Sequence, residues 1–256
     1  MQFAAEKLGS DHVRAMLVPT ASGVLDNRIP AFASDFDQAA LLEKAAALCP
    51  DDTFLNLLPL LQEHKEEPIY YRTDHHWTTL GAFYGYTAWA ESIGLTPYGR
   101  EDFSEETVAD DFYGTTHSKI NLPVYPDSII RYTPRFPAAY HLIFNLGEKE
   151  SDSLYDESKL EGKDKYSYFL GGNNPIVTIT SSTGEKGRRL LIIKDSYSHC
   201  FAPFAVNHFE ETTLIDLRYF NLGVQTFLEQ EDFTDVLVLY STANFADDRN
   251  LNTLVK

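Results

Sequence analysis

The sequence is poor in basic residues and in cysteine, and it has no long hydrophobic run. Its 256 residues carry 21 Lys and Arg against 38 Asp and Glu, a formal charge of −17. A phosphate backbone has to be met by Lys and Arg, so nucleic acid is excluded as a partner. The same deficit argues against anionic membrane surfaces, and the excess of acid reads as a solubility feature. The two cysteines, Cys49 and Cys200, permit one disulfide at most and no cysteine-based metal motif. Buried free thiols are the expectation for both. No stretch approaches the ~20 apolar residues of a membrane span, and Met1 is followed by no basic-then-apolar signal segment. The chain opens abruptly, one helix before its first strand, so a missing upstream segment is expected.

What the sequence does have is apolar and aromatic surface. Hydrophobic residues make up 43%, with 17 Phe and 15 Tyr. That is ample for a core, and tyrosine-rich chains often line grooves that are apolar on one side and wet on the other.

Apolar runs and helical periods alternate along the chain. Met1 to Leu8 reads as a short helix and Val13 to Val18 as a buried strand. Asp35 to Leu48 has a helical period, Thr53 to Leu57 is a short apolar run, and a helical turn follows around Leu60, Leu61 and His64. A further helix begins at Thr78 and Thr79 and stops near Gly94. From about 96 to 187 prolines accumulate and helical periods vanish. Short β-like runs appear there at Ser128 to Tyr132, Tyr140 to Phe144, Tyr166 to Leu170 and Ile176 to Thr180. This stretch reads as an antiparallel, loop-rich insertion in a single domain spanning 1–256. Alternation resumes with a strand at Arg189 to Lys194, then Asp195 and Ser196 followed by a helical stretch through Phe204, and a strand at Thr212 to Ile215. Then come a helix at Gly223 to Glu229, a last strand at Val236 to Tyr240 and a short polar helix in the tail. The pattern is that of an α/β fold with about five mostly parallel strands.

Two stretches carry chemistry. Tyr70 to Trp77 reads Tyr-Tyr-Arg-Thr-Asp-His-His-Trp and sits in the turn that enters a helix. Asp74, two residues before His76, can orient that ring and stabilise its protonated form. The alternative is that Asp74 only caps the helix. Ser196 lies just past the strand ending at Lys194, where open parallel sheets bind their ligands and where helix N–H groups can meet an oxyanion. Here the alternative is that Asp195 or Ser196 is merely an N-cap. Together, Ser196, His76 and Asp74 supply nucleophile, base and orienter. Gly172 and Asn173 are candidate oxyanion donors, although Gly-Gly-Asn-Asn-Pro is also an ordinary turn signal. Arg72 can hold an acyl or sugar oxygen, or pair with a nearby acid. Trp77 is expected to pack under the loop. Asp74, His75 and His76, with His117 or His199, are the one conceivable metal set.

The segment Tyr70-Tyr-Arg-Thr-Asp-His-His-Trp-Thr-Thr-Leu-Gly-Ala82 resembles the signature of the bacterial DHHW proteins. The likeness continues through Asp111-Phe-Tyr-Gly-Thr115, Tyr168-Phe-Leu-Gly-Gly-Asn173 and Leu191-Ile-Ile-Lys-Asp-Ser-Tyr-Ser198. That family is in turn similar to the SGNH-like domains of the alginate O-acetyltransferases. The resemblance implies an SGNH-hydrolase-like, mostly parallel sheet with helices on both faces. It implies Asp74 and His76 as acid and base, Ser196 as nucleophile and Tyr197 as the tyrosine that follows it. Lys194 departs from the glycine of those relatives, and Asp195 from the threonine of the alginate enzymes. The implied activity is that of a serine esterase or O-acetyltransferase on O-acyl groups of a polysaccharide, without a cofactor or a metal. The acyl donor would come from a membrane partner, and the location would be extracellular or in the cell envelope. A non-catalytic carbohydrate-binding or scaffold domain and a metal-dependent hydrolase are the rival readings.

Overall fold

Continuous apolar runs build the centre of the molecule, a computed structural model that describes residues 1–29, 32, 36–220 and 223–251. Ten strands are present among these residues: β1 (Val13–Val18), β2 (Phe54–Leu55), β3 (Phe103–Phe112), β4 (Asp127–Pro134) and β5 (Tyr140–Phe144), then β6 (Lys149–Ser151), β7 (Ile176–Ser181), β8 (Glu185–Lys194), β9 (Phe209–Ile215) and β10 (Asp235–Ser241). Eight of them form one sheet in the order β2-β1-β10-β8-β9-β7-β5-β6. The first five in that order are parallel neighbours.

Strand side chains alternate between faces, so a strand covered on both sides has no polar period. On β8, Leu190 and Ile192 enter one core cluster while Leu191 and Ile193 enter the other. On β10, Leu237 and Leu239 side with the first and Val236 and Val238 with the second. The first face is covered by the helix Thr79–Ser92, which buries Ala82, Phe83, Tyr86, Trp89 and Ala90 at helical spacing. Each such large side chain contributes about 1.5–3 kcal/mol of burial. The second face is covered by the helices Gln2–Leu8, Gln38–Leu48 and Val224–Gln230, through residues such as Ala4, Leu42 and Leu228. Asp35, where the second of these was expected to begin, lies outside the described residues.

Three expectations are corrected, two of them in the proline-rich stretch. Its strands β7, β5 and β6 do not stand apart but continue the main sheet as an antiparallel flank beyond β9, so five strands is only the parallel part. Pairing of this kind is non-local and leaves no mark on the local pattern. Tyr166 to Leu170 is not a strand: Lys165–Tyr168 is a 3₁₀ turn, and only Phe169 bridges, to Tyr155. Tyr166, Tyr168 and Phe169 are all buried, and coiling lets the chain insert neighbouring rings that a strand would divide between two faces. The helix expected after Ser196 through Phe204 is broken into a 3₁₀ turn, Ser196–Ser198, and a short helix, Ala202–Ala205. Finally, β3 and β4 form a separate two-stranded ribbon. Cys49 and Cys200 are free thiols, the second fully buried.

Candidate active site

The Tyr70 to Trp77 segment is a closed loop. Tyr70 and Trp77 bridge antiparallel, and the N–H groups of Tyr71 and Thr78 donate to the carbonyls of His76 (3.2 Å) and Ile69 (2.9 Å). The following helix is capped by Thr78, whose hydroxyl accepts from the Gly81 N–H at 3.3 Å. Asp74 is therefore not its cap. A Cβ on Gly81 would lie 2.4 Å from the Ile69 carbonyl oxygen, so glycine is what lets the loop rest on its helix. From the ribbon side, Asp127 accepts from the N–H and hydroxyl of Thr73 at 2.7 and 2.6 Å and from the Arg72 N–H at 3.1 Å. The Arg72 guanidinium pairs with the same carboxylate (3.3 Å) and donates to the Pro126 carbonyl (2.8 Å). Trp77 is fully buried and its indole N–H donates to the Tyr197 carbonyl at 2.8 Å.

Ser196 comes from the other side, at the carboxyl end of β8. The cap of its turn is Asp195: Oδ1 accepts from the Tyr197 N–H at 2.9 Å. Oδ2 accepts from the N–H and hydroxyl of Ser241 (2.8 and 2.9 Å) and from the Asn244 amide (2.8 Å). With the cap supplied by Asp195, the Ser196 hydroxyl is left for other work. Its backbone N–H, the first of the turn, has no acceptor among the described residues.

The two halves meet in one line of hydrogen bonds. His76 Nε2 lies 2.7 Å from Ser196 Oγ, and His76 Nδ1 lies 2.5 Å from Asp74 Oδ1. All three residues are nine-tenths buried or more. Asp74 Oδ2 accepts from the N–H and hydroxyl of Thr115 at 2.8 and 3.0 Å. Burial alone would raise the Asp74 carboxyl. The hydrogen bond and charge of His76, the charge of His75 and the Thr115 N–H together hold it well below the usual carboxylate range. Tyr166 stacks flat on His76, centroids 3.7 Å apart, and donates its hydroxyl to the Ser196 carbonyl at 3.0 Å. An ionised acid, an imidazole and a hydroxyl so arranged can move a proton off the hydroxyl while the acid steadies the charged ring.

The remaining candidates fall elsewhere. Tyr197 is fully buried and its hydroxyl donates to the His75 carbonyl, so it braces the loop from behind. The Gly172 N–H is engaged by the Phe169 carbonyl (3.2 Å), and the Asn173 side-chain oxygen accepts from Arg218 (3.3 Å). Lys194, where the relatives' glycine was expected, is buried with its Nζ 2.9 Å from His199 Nε2 and 3.3 Å from Asp216. Burial lowers its pKa, and Asp216 partly restores it. His199 thus belongs to a structural network, and His117 to the Leu122 carbonyl (3.1 Å). Ligand atoms of Asp74, His75 and His76 do lie within 4.8 Å of one another. Both Asp74 oxygens and both His76 nitrogens are already engaged in hydrogen bonds, so a metal there would have to displace some of them. Thr115, Asp127 and Tyr166 had no assigned role in the sequence reading. The only hint of Thr115 was its place in the Asp111 to Thr115 motif.

A parallel core with an antiparallel flank, and a serine at the strand end facing an Asp-x-His loop, define an SGNH-hydrolase-like α/β fold. The chain belongs to the DHHW family, whose model matches residues 3–215. A crystal structure of a DHHW family protein from Eubacterium siraeum is 27% identical, with a TM-score of 0.81 over 98% of this chain and 87% of that one. PatB1 of Bacillus cereus, solved with a sulfonyl adduct, is 19% identical, with a TM-score of 0.78 over 95% of this chain and 84% of its own. The O-acetyltransferase domain of Pseudomonas putida AlgJ is 13% identical, with a TM-score of 0.53 over 99% of this chain and 83% of that domain. No curated protein sequence matches significantly. No described helix is long and apolar enough to cross a membrane.

Proposed function

We propose that the protein is a serine-dependent acyl-ester enzyme, an esterase or O-acetyltransferase acting on O-acyl groups of a polysaccharide. The observation that carries this reading is the unbroken hydrogen-bond line Asp74–His76–Ser196. His76 Nε2 takes the Ser196 proton as Oγ attacks the acyl carbon, and Asp74 holds the ring and balances its charge. The oxyanion is met by the free Ser196 N–H. Collapse breaks the bond to the leaving alcohol, which His76 protonates, and leaves an acyl group on Ser196. A water or a sugar hydroxyl, deprotonated by His76, then takes the acyl group and restores the serine.

The AlgJ fold, an O-acetyltransferase domain, supports the transfer branch. The PatB1 adduct supports a reactive nucleophile on this fold, since sulfonylating reagents trap activated hydroxyls. A glycan acceptor, an acyl donor supplied at a membrane and an extracytoplasmic setting are parts of the same proposal, as is a single domain over 1–256. The test is hydrolysis of p-nitrophenyl acetate by wild type and Ser196→Ala, with intact-mass analysis for an acetyl adduct. Loss of turnover in the variant and an adduct only in wild type are expected. Equal rates with no adduct would leave the carbohydrate-binding alternative in its place.

A further inference from the structure

The loop that joins β3 to β4 holds half of the large apolar side chains that the fold leaves uncovered. Ten are exposed among the described residues, and five of them, Tyr113, Ile120, Leu122, Val124 and Tyr125, fall in this one loop. Single exposed apolar residues are ordinary, whereas a cluster marks a contact surface. The loop is also free of acid. No Asp or Glu occurs from 112 to 126 in a chain that carries 38 of them, and Lys119 is the one Lys or Arg there.

The polar groups of the loop are turned on each other while its apolar side chains face out. The Tyr113 hydroxyl donates to the Val124 carbonyl at 3.1 Å, and His117 Nε2 donates to the Leu122 carbonyl at 3.1 Å. The Asn121 N–H donates to the His117 carbonyl at 2.6 Å. Pro123 and Pro126 have no N–H to satisfy. The carbonyls of exposed Leu122 and Val124 are thus paired from within, as a water-poor setting requires. The same loop is fastened to the loop of Asp74 and His76, through the Thr115 bonds to Asp74 and through the His117 N–H, which donates to the Thr73 carbonyl at 2.9 Å.

Size decides the class of partner. A stable protein interface takes roughly 20–30 residues a side, and five side chains fall far short of that. Ile120, Leu122 and Val124 offer a sugar neither a flat face nor a hydrogen bond. A few apolar side chains with a tyrosine and a lysine suit the boundary of a bilayer. There the apolar groups enter the acyl region while the ammonium stays with head-group phosphates. The charge of −17 on the whole chain opposes an anionic bilayer, so the surface that fits is zwitterionic.

We propose that the β3–β4 loop docks the protein on a zwitterionic lipid surface by shallow insertion of these side chains, with the Asp74 loop beside the contact. The proposal is independent of whether Ser196 is a nucleophile. Cosedimentation with phosphatidylcholine vesicles at millimolar lipid would compare wild type, the double variant Ile120→Asp/Leu122→Asp, and Leu146→Asp. Leu146 is as exposed as the loop residues but lies on the turn between β5 and β6. Wild type and Leu146→Asp should partition equally, and the double variant at least about tenfold less, the least expected for two withdrawn apolar side chains. Tyr125→Trp gives a second readout that does not depend on the double variant folding. Both native tryptophans, Trp77 and Trp89, are buried, so a blue shift of emission on adding vesicles reports the loop. The proposal is overturned if wild type stays in the supernatant, if the double variant partitions as wild type does, or if Tyr125→Trp shows no blue shift. Tighter binding to phosphatidylglycerol vesicles would overturn it in favour of an electrostatic contact. A lipid-free dimer that the double variant splits would overturn it in favour of a second copy of the chain.

Discussion

Asp74→Asn is the perturbation that examines the site most sharply, because it changes one charge and almost no volume. The carboxylate accepts on both oxygens: from the ring and N–H of His76 on one, from the N–H and hydroxyl of Thr115 on the other. An asparagine cannot accept on both. If its oxygen faces His76, its amide hydrogens confront the Thr115 N–H. If it flips, the amide donates to His76 Nδ1, moves the ring proton to Nε2 and leaves nothing to accept the Ser196 proton. In serine proteases the equivalent tautomer error lowers kcat about 10⁴-fold, or about 5 kcal/mol of transition-state stabilisation. A fall in kcat/KM for p-nitrophenyl acetate of about that size is expected, with the fold intact by circular dichroism. Retention of activity within about tenfold of wild type would refute the role given to Asp74. The same residue couples stability to pH. Its folded pKa lies below the unfolded value of about 3.9, so its stabilisation is present above about pH 4 and is lost progressively as the pH falls from there. Acid titrations of unfolding should therefore be shallower in Asp74→Asn than in wild type.

Three further outcomes follow from the geometry. Burial, with the neighbouring His76, pushes the His75 pKa down to about 4 despite Asp74, so His75 is neutral above about pH 5; His75→Asn should leave the acid limb of the kcat/KM profile unmoved there. A Cβ on Gly114 would lie 2.3 Å from the Asp74 side chain, so Gly114→Ala should displace the acid. It should cost about 1–3 kcal/mol in thermal unfolding and reduce esterase activity more than a comparable change on the surface of β3. Treatment with a strong chelator should leave ester hydrolysis unchanged, and a loss restored by added zinc would favour the metal arrangement of Asp74, His75 and His76 instead.

The parallel core was legible because its strands are buried on both faces and so read as unbroken apolar runs, as at Leu190 to Ile193. What the local pattern could not carry was partnership. The runs at Tyr140 to Phe144 and Ile176 to Thr180 were visible as strands, but the pairing of the second with β9, and of the first with the second, depends on residues far away in sequence. β3 escaped altogether, since only its end residues Phe103 and Phe112 are buried and the rest reads as polar loop. In the site, the residue types that perform acid–base chemistry stood out, and the structure brings Asp74, His76 and Ser196 together. The groups that hold them did not stand out: Thr115, Asp127 and Tyr166 have side chains common in any loop. Tyr197 and Gly172 had suitable chemistry for a substrate site, but their donors are engaged by the His75 and Phe169 carbonyls.

The Asp195 carboxylate has a consequence for how relatives of this chain should be read. Three of its four hydrogen-bond donors come from Ser241 and Asn244, so the turn bearing Ser196 is fastened to the end of the last strand. The family match stops at residue 215. A relative could therefore keep every recognisable motif and still lose the pose of its serine through a change at either of those later positions. Inactive members are best sought among sequences altered there, beyond the segment by which membership is recognised.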